Sequence, residues 1–339
     1  MVTDAKEGRC LTVDSFASKL AVVTGGGSGM GRELVRQLAA LGCSVAACDL
    51  NPDSVGRTAD LARAEARPGV QVSAHVCDVS DEARVLRFRD EFLTDHATDH
   101  VDLVFSNAGI GGGESFIGGS RDVWERVFAV DWWGVYNCAR VFLPLLIASA
   151  EGVLVNTSSV NGLWASLGPG VPQTAYSTAK FAVRGFSEAL IEDLRVHAPH
   201  VRVAVVLPGH VGTDIIMNSL RARGLPDLEQ IRGTQLEELI PPDVRSALIK
   251  AGAVPEVPSI DDLRDFLVRL NADFRDKAPV TATEAATTIL EGVRSGAWRI
   301  LIGDDARKID AAVRAKPEAA YDYAELFRSF AGGSATGTP

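Results

Sequence analysis

Seven short apolar runs, each separated from the next by a stretch with helical spacing, constrain this chain more than any other feature. They fall at residues 20–24, 44–48, 71–76, 102–105, 152–156, 202–207 and 298–302. Runs of this length, rich in Val and Ala, read as strands buried on both faces, and the helical stretches between them supply the cover. The pattern predicts an α/β fold, a doubly wound Rossmann-type parallel sheet of about seven strands with helices on both faces. Ligands of such sheets bind beyond the carboxyl ends of the strands. The chemically informative residues of this sequence fall there.

The first run, Lys19 to Val23, leads through a glycine-rich turn, Thr24 to Gly31, into the apolar-periodic stretch Arg32 to Ala40. A turn of this kind lets backbone N–H groups and a helix N-terminus meet a pyrophosphate. Its spacing is T-G-x-x-x-G-x-G, with Gly25, Gly29 and Gly31 at the fixed positions and Ser28 and Met30 among the variable ones. The second run ends in Asp49, followed by Leu50. A carboxylate placed there accepts hydrogen bonds from the ribose hydroxyls of an adenosine and repels a 2′-phosphate. No Lys or Arg follows it in Leu50 to Pro52, so the expected cofactor is NAD.

Tyr176 and Lys180 stand four residues apart, downstream of the stretch Asn156 to Ser159. On a helix such a pair shares a face, so the ammonium can lower the pKa of the phenol while Ser159 approaches the same reacting oxygen. That constellation suits proton transfer to and from alcohols and ketones.

With these residues in this order, the chain resembles the short-chain dehydrogenase/reductase family over residues 19 to about 214, with a closing helix and strand near 281–303. Cys77-Asp78-Val79 matches the segment that contacts adenine in that family, and Asn107-Ala108-Gly109 matches its sheet-stabilising motif. Asn156 to Ser159 falls at the active-site serine strand and Tyr176 to Lys180 at Y-x-x-x-K. Pro208 to Thr213, which includes Gly209 and Val211, falls at the loop that holds the nicotinamide carboxamide. The turn spacing is similar to that of the single-domain branch, because the epimerase-rich branch would carry glycine at position 28. The resemblance implies an NAD(H)-dependent oxidoreductase interconverting a secondary alcohol and a ketone on a small or medium apolar substrate. Tyr176 would act as acid and base and Ser159 would hold the substrate oxygen, with Lys180 and Tyr176 also touching the cofactor. A homodimer or homotetramer is implied as well. The alternatives are a catalytically silent NAD-binding sensor or scaffold, against which the intact Ser159, Tyr176 and Lys180 argue, and a dehydratase or epimerase of the same fold.

Two departures from the family pattern matter. Asp131 stands where the family usually has the Asn that feeds the proton relay, so the tetrad here would be Asp131, Ser159, Tyr176 and Lys180. The distance from serine to tyrosine is stretched by residues 163–173, and the register selects Ser159, followed three residues later by Gly162, over Ser158. Trp164 in that loop is expected to contact substrate.

Composition bounds the remaining possibilities. A hydrophobic content of 46% in 339 residues supports an ample core. A net charge of -10 and the lack of a long basic tract argue against a nucleic-acid partner. The five cysteines contain no C-x-x-C and read as reduced core residues, and no metal site is expected: His96 and His100 fall in a polar, turn-like stretch. Residues 1–18 are expected to be an extension without a continuous apolar segment, and the longest apolar helix, Val141 to Ala148, is too short for a bilayer, so the expected location is the cytoplasm with no membrane partner. Residues 19–330 form the expected single catalytic domain and 331–339 a flexible tail. Within the domain, residues 215–280 are expected to form a helical lobe, as a substrate lid or an interface. In it Ile260, Leu263, Phe266, Leu267 and Leu270 share one helix face.

Overall fold

Each of the seven apolar runs forms a strand, within two residues of its expected place, in a computed structural model that describes residues 12–332 apart from 113–114, 169–170, 241 and 251. The first six are β1 (Leu20–Thr24), β2 (Ser44–Asp49), β3 (Val72–Val76), β4 (Leu103–Ser106), β5 (Gly152–Thr157) and β6 (Val201–Pro208). Two short strands, β7 (Val211–Gly212) and β8 (Val280–Thr281), pair with each other outside the main sheet, and β9 (Arg299–Ile302) completes the seven. The main sheet is parallel throughout, in the order β3-β2-β1-β4-β5-β6-β9. Strand order reverses between β1 and β4, which opens a crevice at their carboxyl ends.

The intervening helices are α1 (Gly29–Ala40), α2 (Pro52–Glu65), α3 (Glu82–Asp95), α4 (Arg121–Phe128), α5 (Gly134–Ala148) and α6 (Thr174–His197). Beyond β7 come α7 (Ile215–Ala222), α8 (Gly233–Leu239), α9 (Pro242–Lys250) and α10 (Ile260–Asp276); α11 (Ala282–Arg294), α12 (Asp304–Ala315) and α13 (Tyr323–Gly332) close the described chain. Successive strand side chains point to opposite faces, and here both directions are apolar because both faces are covered. Val23, Val45 and Val155 pack under Leu34 and Leu38 of α1 and Ile289 of α11, whereas Val22, Ala46 and Leu154 pack under Phe88 and Phe92 of α3 and Phe142 of α5. Part of the N-terminal extension joins the first of these cores. Val13 and Phe16 are buried, the Val13 amide donates to the Arg294 carbonyl, and the Arg294 guanidinium lies over the Phe16 ring.

Residues 215–280 do form a helical lobe with a small core of their own, built on Met217, Leu220, Leu228, Ile231, Leu236 and Leu263. The apolar face of α10 is only partly used: Leu263 is buried and Phe266 and Leu267 pack beside it, but Ile260 and Leu270 at its ends are half-exposed. The lobe covers the middle of the stripe and is too small to cover its ends. Trp132 and Trp133 take packing roles, Trp132 edge-on to Phe186 and Trp133 half-exposed against Tyr136. Cys43, Cys48, Cys77 and Cys138 are free and buried, and burial pushes the thiols of Cys43, Cys48 and Cys138 up. Cys10 and residues 333–339 of the expected tail lie outside the described residues. Among the described residues no helix is long and apolar enough to cross a membrane.

Candidate active site

The glycine turn is fastened to the strand beside it. Thr24 Oγ1 accepts from the amides of Asn107 and Ala108, each at 3.0 Å, and Asn107 Nδ2 returns a bond to the Thr24 carbonyl at 3.1 Å. This knot leaves no room for side chains beneath it. Gly25 has φ +65°, and a Cβ there would sit 2.8 Å from Ala108 Cα, while one on Gly31 would strike the Gly25 carbonyl. The N-terminus of α1 is thereby aimed into a cleft of about 620 Å³. Gly25, Ser28, Gly29, Met30, Asp49, Leu50, Asp78, Val79, Asn107, Ala108, Gly109 and Thr213 all line it. Gly31 lies under the turn, and Pro208, Gly209 and Val211 lie outside the cleft lining; the carboxamide loop reaches the cleft through Thr213.

At one end of the cleft, both oxygens of Asp49 accept backbone N–H groups, those of Gly27 and Asn51, at 3.0 Å each. Asp78 is held by Ser80 and by Arg126 of α4. Burial works against its charge, but the Ser80 hydroxyl and amide and the Arg126 guanidinium outweigh it and keep the carboxyl below its usual range. Arg126 lines the cleft and was not singled out in the sequence; so do Asn218 and Arg221 of α7. Asn218 Nδ2 donates to Ser28 Oγ at 2.8 Å, and the Gly111 amide donates to Ser219 Oγ at 2.7 Å, so the first helix of the lobe rests on the glycine turn and on the exit of β4. No local signal marks Arg126 or Asn218, because tertiary placement alone brings them to the cleft.

Past Gly109 the second group of residues converges. A Cβ on Gly109 would lie 2.8 Å from Asp131 Oδ1 and 3.3 Å from Lys180 Nζ. Asp131 sits in a π-helical turn, Ala129–Trp133, between α4 and α5, where the irregular winding turns its carboxylate fully inside. Its Oδ1 accepts from the Ile110 amide at 2.9 Å and faces Lys180 Nζ at 3.5 Å. Burial pushes Asp131 up, against the pull of Lys180 and the Ile110 N–H. Burial alone would depress Lys180, but Asp131 and Tyr176 more than offset it, and the ammonium is held above its usual range.

Lys180 Nζ lies 5.4 Å from the centre of the Tyr176 ring and donates to the Thr157 carbonyl at 3.3 Å. Lys180 pulls the phenol down, as the spacing suggested, but burial outweighs it and the Tyr176 phenol is held above its usual range. Burial pushes the Tyr176 phenol up; Lys180 and a hydrogen bond with Ser159 pull it down, and Asp131 adds to the rise. The two serines differ in their partners. Ser158 Oγ donates to the Lys180 carbonyl at 2.7 Å, and a Cβ on Gly162 would strike that same Oγ, so Ser158 is committed to clamping β5 against α6. Ser159 is the serine left to face the phenol.

Trp164 is placed differently from expectation. Its indole is buried away from the cleft and donates to the Ala320 carbonyl at 2.7 Å, with its ring edge against Tyr323. The C-terminal helices cover the loop, and an apolar ring with one donor finds both its cover and its acceptor there. His96 is not solvated as expected either; it is half-buried, with Nε2 2.9 Å from Ser73 Oγ.

A family model described as short chain dehydrogenase matches residues 19–224. The chain belongs to the short-chain dehydrogenase/reductase family. This dehydrogenase/reductase is 34% identical over 305 residues to SadH of Mycobacterium tuberculosis, a candidate oxidoreductase, covering 89% of this chain and 92% of that protein. It is 33% identical over 201 residues to the 3-oxoacyl-[acyl-carrier-protein] reductase FabG of Chlamydia trachomatis, over 59% of this chain and 77% of FabG. Among solved structures, a short-chain dehydrogenase/reductase from Burkholderia phymatum in complex with NAD superposes with a TM-score of 0.70 at 29% identity, over 91% of this chain and 95% of that one. The chain is therefore an oxidoreductase of this family, built on its nucleotide-binding sheet.

Proposed function

We propose that this dehydrogenase/reductase uses NAD(H) to interconvert a secondary alcohol and a ketone, on a small or medium apolar substrate. The observation that carries the reading is the convergence of Ser159, Tyr176 and Lys180 behind Gly109, which lines the same cleft as Asp49 although the three side chains themselves lie outside its lining. The residues present fit a dinucleotide. Glycines 25, 27 and 31 form a cradle that any Cβ would obstruct, and Asp49, which accepts the Gly27 amide beside it, suits ribose hydroxyls. The Burkholderia phymatum relative, solved with NAD, supports the same choice of cofactor. When bound, the nicotinamide supplies the hydride acceptor or donor.

In alcohol oxidation Tyr176, as phenolate, takes the hydroxyl proton; in ketone reduction its phenol returns one. Ser159 Oγ accepts the Asn161 amide at 3.1 Å and turns its own proton to Asn161 Oδ1 at 3.5 Å, a long bond that a substrate oxygen would replace. Lys180, kept charged by Asp131, offsets the cost of a buried phenolate. Proton transfer of this kind contributes about 10²–10⁴ in rate, and the remainder comes from holding the reacting carbons together. We further read α7 and the rest of residues 215–280 as a lid, on the strength of the Asn218–Ser28 and Ser219–Gly111 bonds across the cleft. Incubation with NAD⁺ and a panel of secondary alcohols, followed by nicotinamide absorbance, tests the activity. Formation of NADH with at least one member is the expected result, and none with any of them would overturn the reading.

A further inference from the structure

Three consecutive residues of the loop between Ser159 and Tyr176 are each tied to the C-terminal segment. Trp164 Nε1 donates to the Ala320 carbonyl at 2.7 Å, the Ala165 amide donates to Tyr321 Oη at 3.3 Å, and Ser166 Oγ lies 2.9 Å from Tyr323 Oη. Trp164, Ala320 and Leu326 are buried together, with Ile309 and Val313 of α12 packed around them. The segment that supplies these partners lies beyond residue 224, where the family match ends.

The same loop residues grip Asn161 from the other side. Asn161 is buried, and its Nδ2 donates to the carbonyls of Trp164 at 3.3 Å and Ser166 at 2.9 Å. With both amide protons so engaged, its rotamer is fixed and Oδ1 is turned to Ser159 Oγ at 3.5 Å, while its backbone N–H donates to that oxygen at 3.1 Å. A chain of hydrogen bonds therefore runs from the C-terminal helices through the loop carbonyls and Asn161 to the Ser159 hydroxyl. These ties from Asn161 and from the C-terminal segment hold residues 164–166 from both sides.

We propose that α12, α13 and the turn between them anchor this loop and, acting through Asn161, position the Ser159 hydroxyl for the reaction. Asn161, Trp164 and Tyr323 are positioning residues in this scheme. The step from anchor to chemistry rests on the dehydrogenase reading above, whereas the anchor itself does not.

The test is the double variant Trp164→Phe/Tyr323→Phe, which keeps an aromatic ring at both positions but removes the indole N–H, part of the indole's packing and one hydroxyl; Tyr323→Phe alone, which removes only the hydroxyl, serves if the double variant folds poorly. Two readouts are taken on the full chain. Amide hydrogen exchange over residues 161–168 is expected to quicken by about tenfold or more, with the β1 and α1 amides unchanged. With an alcohol found active in the panel, kcat is expected to fall by about tenfold, with KM for NAD⁺ held within about twofold. The midpoint of the rise of kcat with pH should also move upward, because a displaced Ser159 no longer favours the Tyr176 phenolate. Unchanged exchange would remove the anchor. Faster exchange with unchanged kcat and midpoint would reduce the segment to a structural cover and overturn the positioning role. If the wild-type protein oxidises no alcohol in the panel, the dehydrogenase reading fails instead, and the exchange comparison decides the anchor alone.

Discussion

Asp131 Oδ1 lies 3.5 Å from Lys180 Nζ, with both side chains buried, and Asp131 Oδ2 has no hydrogen-bond partner among the described residues. An amide at this position would still accept the Ile110 N–H but would carry no charge. Asp131 raises the pKa of the Tyr176 phenol directly, and with Lys180 still held charged by the phenolate beside it the removal of Asp131 lowers that pKa, so the phenolate persists to lower pH. Asp131→Asn is therefore expected to shift the midpoint of the kcat–pH curve for alcohol oxidation downward and to keep kcat within about tenfold. An unmoved midpoint would show that the charge at position 131 does not reach the phenol.

Tyr176→Phe removes the transferable proton and leaves the ring over which Lys180 lies. Turnover is expected to fall by about 10²–10⁴ while NADH affinity, read by fluorescence titration, stays nearly constant. Substantial residual turnover would sink the assignment of Tyr176 as acid and base.

Asp49→Asn keeps a hydrogen-bonding group at the adenosine end and removes the charge that repels a 2′-phosphate. Arg32 and Arg57 line the same cleft and would then be free of that opposing carboxylate. The ratio of kcat/KM for NADP⁺ over NAD⁺ is expected to rise by about tenfold or more. Equal preference in the wild-type protein would already contradict the role given to Asp49.

The lid reading predicts that NAD⁺ with a turned-over substrate slows proteolysis within residues 215–279, because α7 already contacts the glycine turn through Asn218. Protection indifferent to both ligands would favour a lobe that serves as surface or interface. Asn218→Ala, which removes that contact, is expected to weaken the protection without abolishing the fold.

The sheet was legible because strands covered on both faces must be apolar in both directions, and such runs as Leu20–Thr24 and Gly152–Thr157 stand out without reference to anything distant. Tyr176 and Lys180 were legible for a similar reason: one helical turn joins them. Trp164 was not, since its acceptor, Ala320, lies 156 residues further along the chain and nothing near either residue announces the pairing. Ile260 and Leu270 show the converse limit. The helical stripe was real, but how far a neighbour covers it depends on the size of a lobe that periodicity does not measure. Arg126 and Asn218 reach the cleft from helices whose sequences are ordinary amphipathic ones, so only the assembled fold distinguishes them.

The bond from Ser158 to the Lys180 carbonyl fastens the serine strand directly to the tyrosine helix, bypassing the chain between them. Together with the bond from Lys180 Nζ to the Thr157 carbonyl, it registers the two halves of the reacting pair to each other by direct contact and not by loop length. The separation of serine from tyrosine along the chain is therefore free to differ from that of the family without moving the pair apart in space.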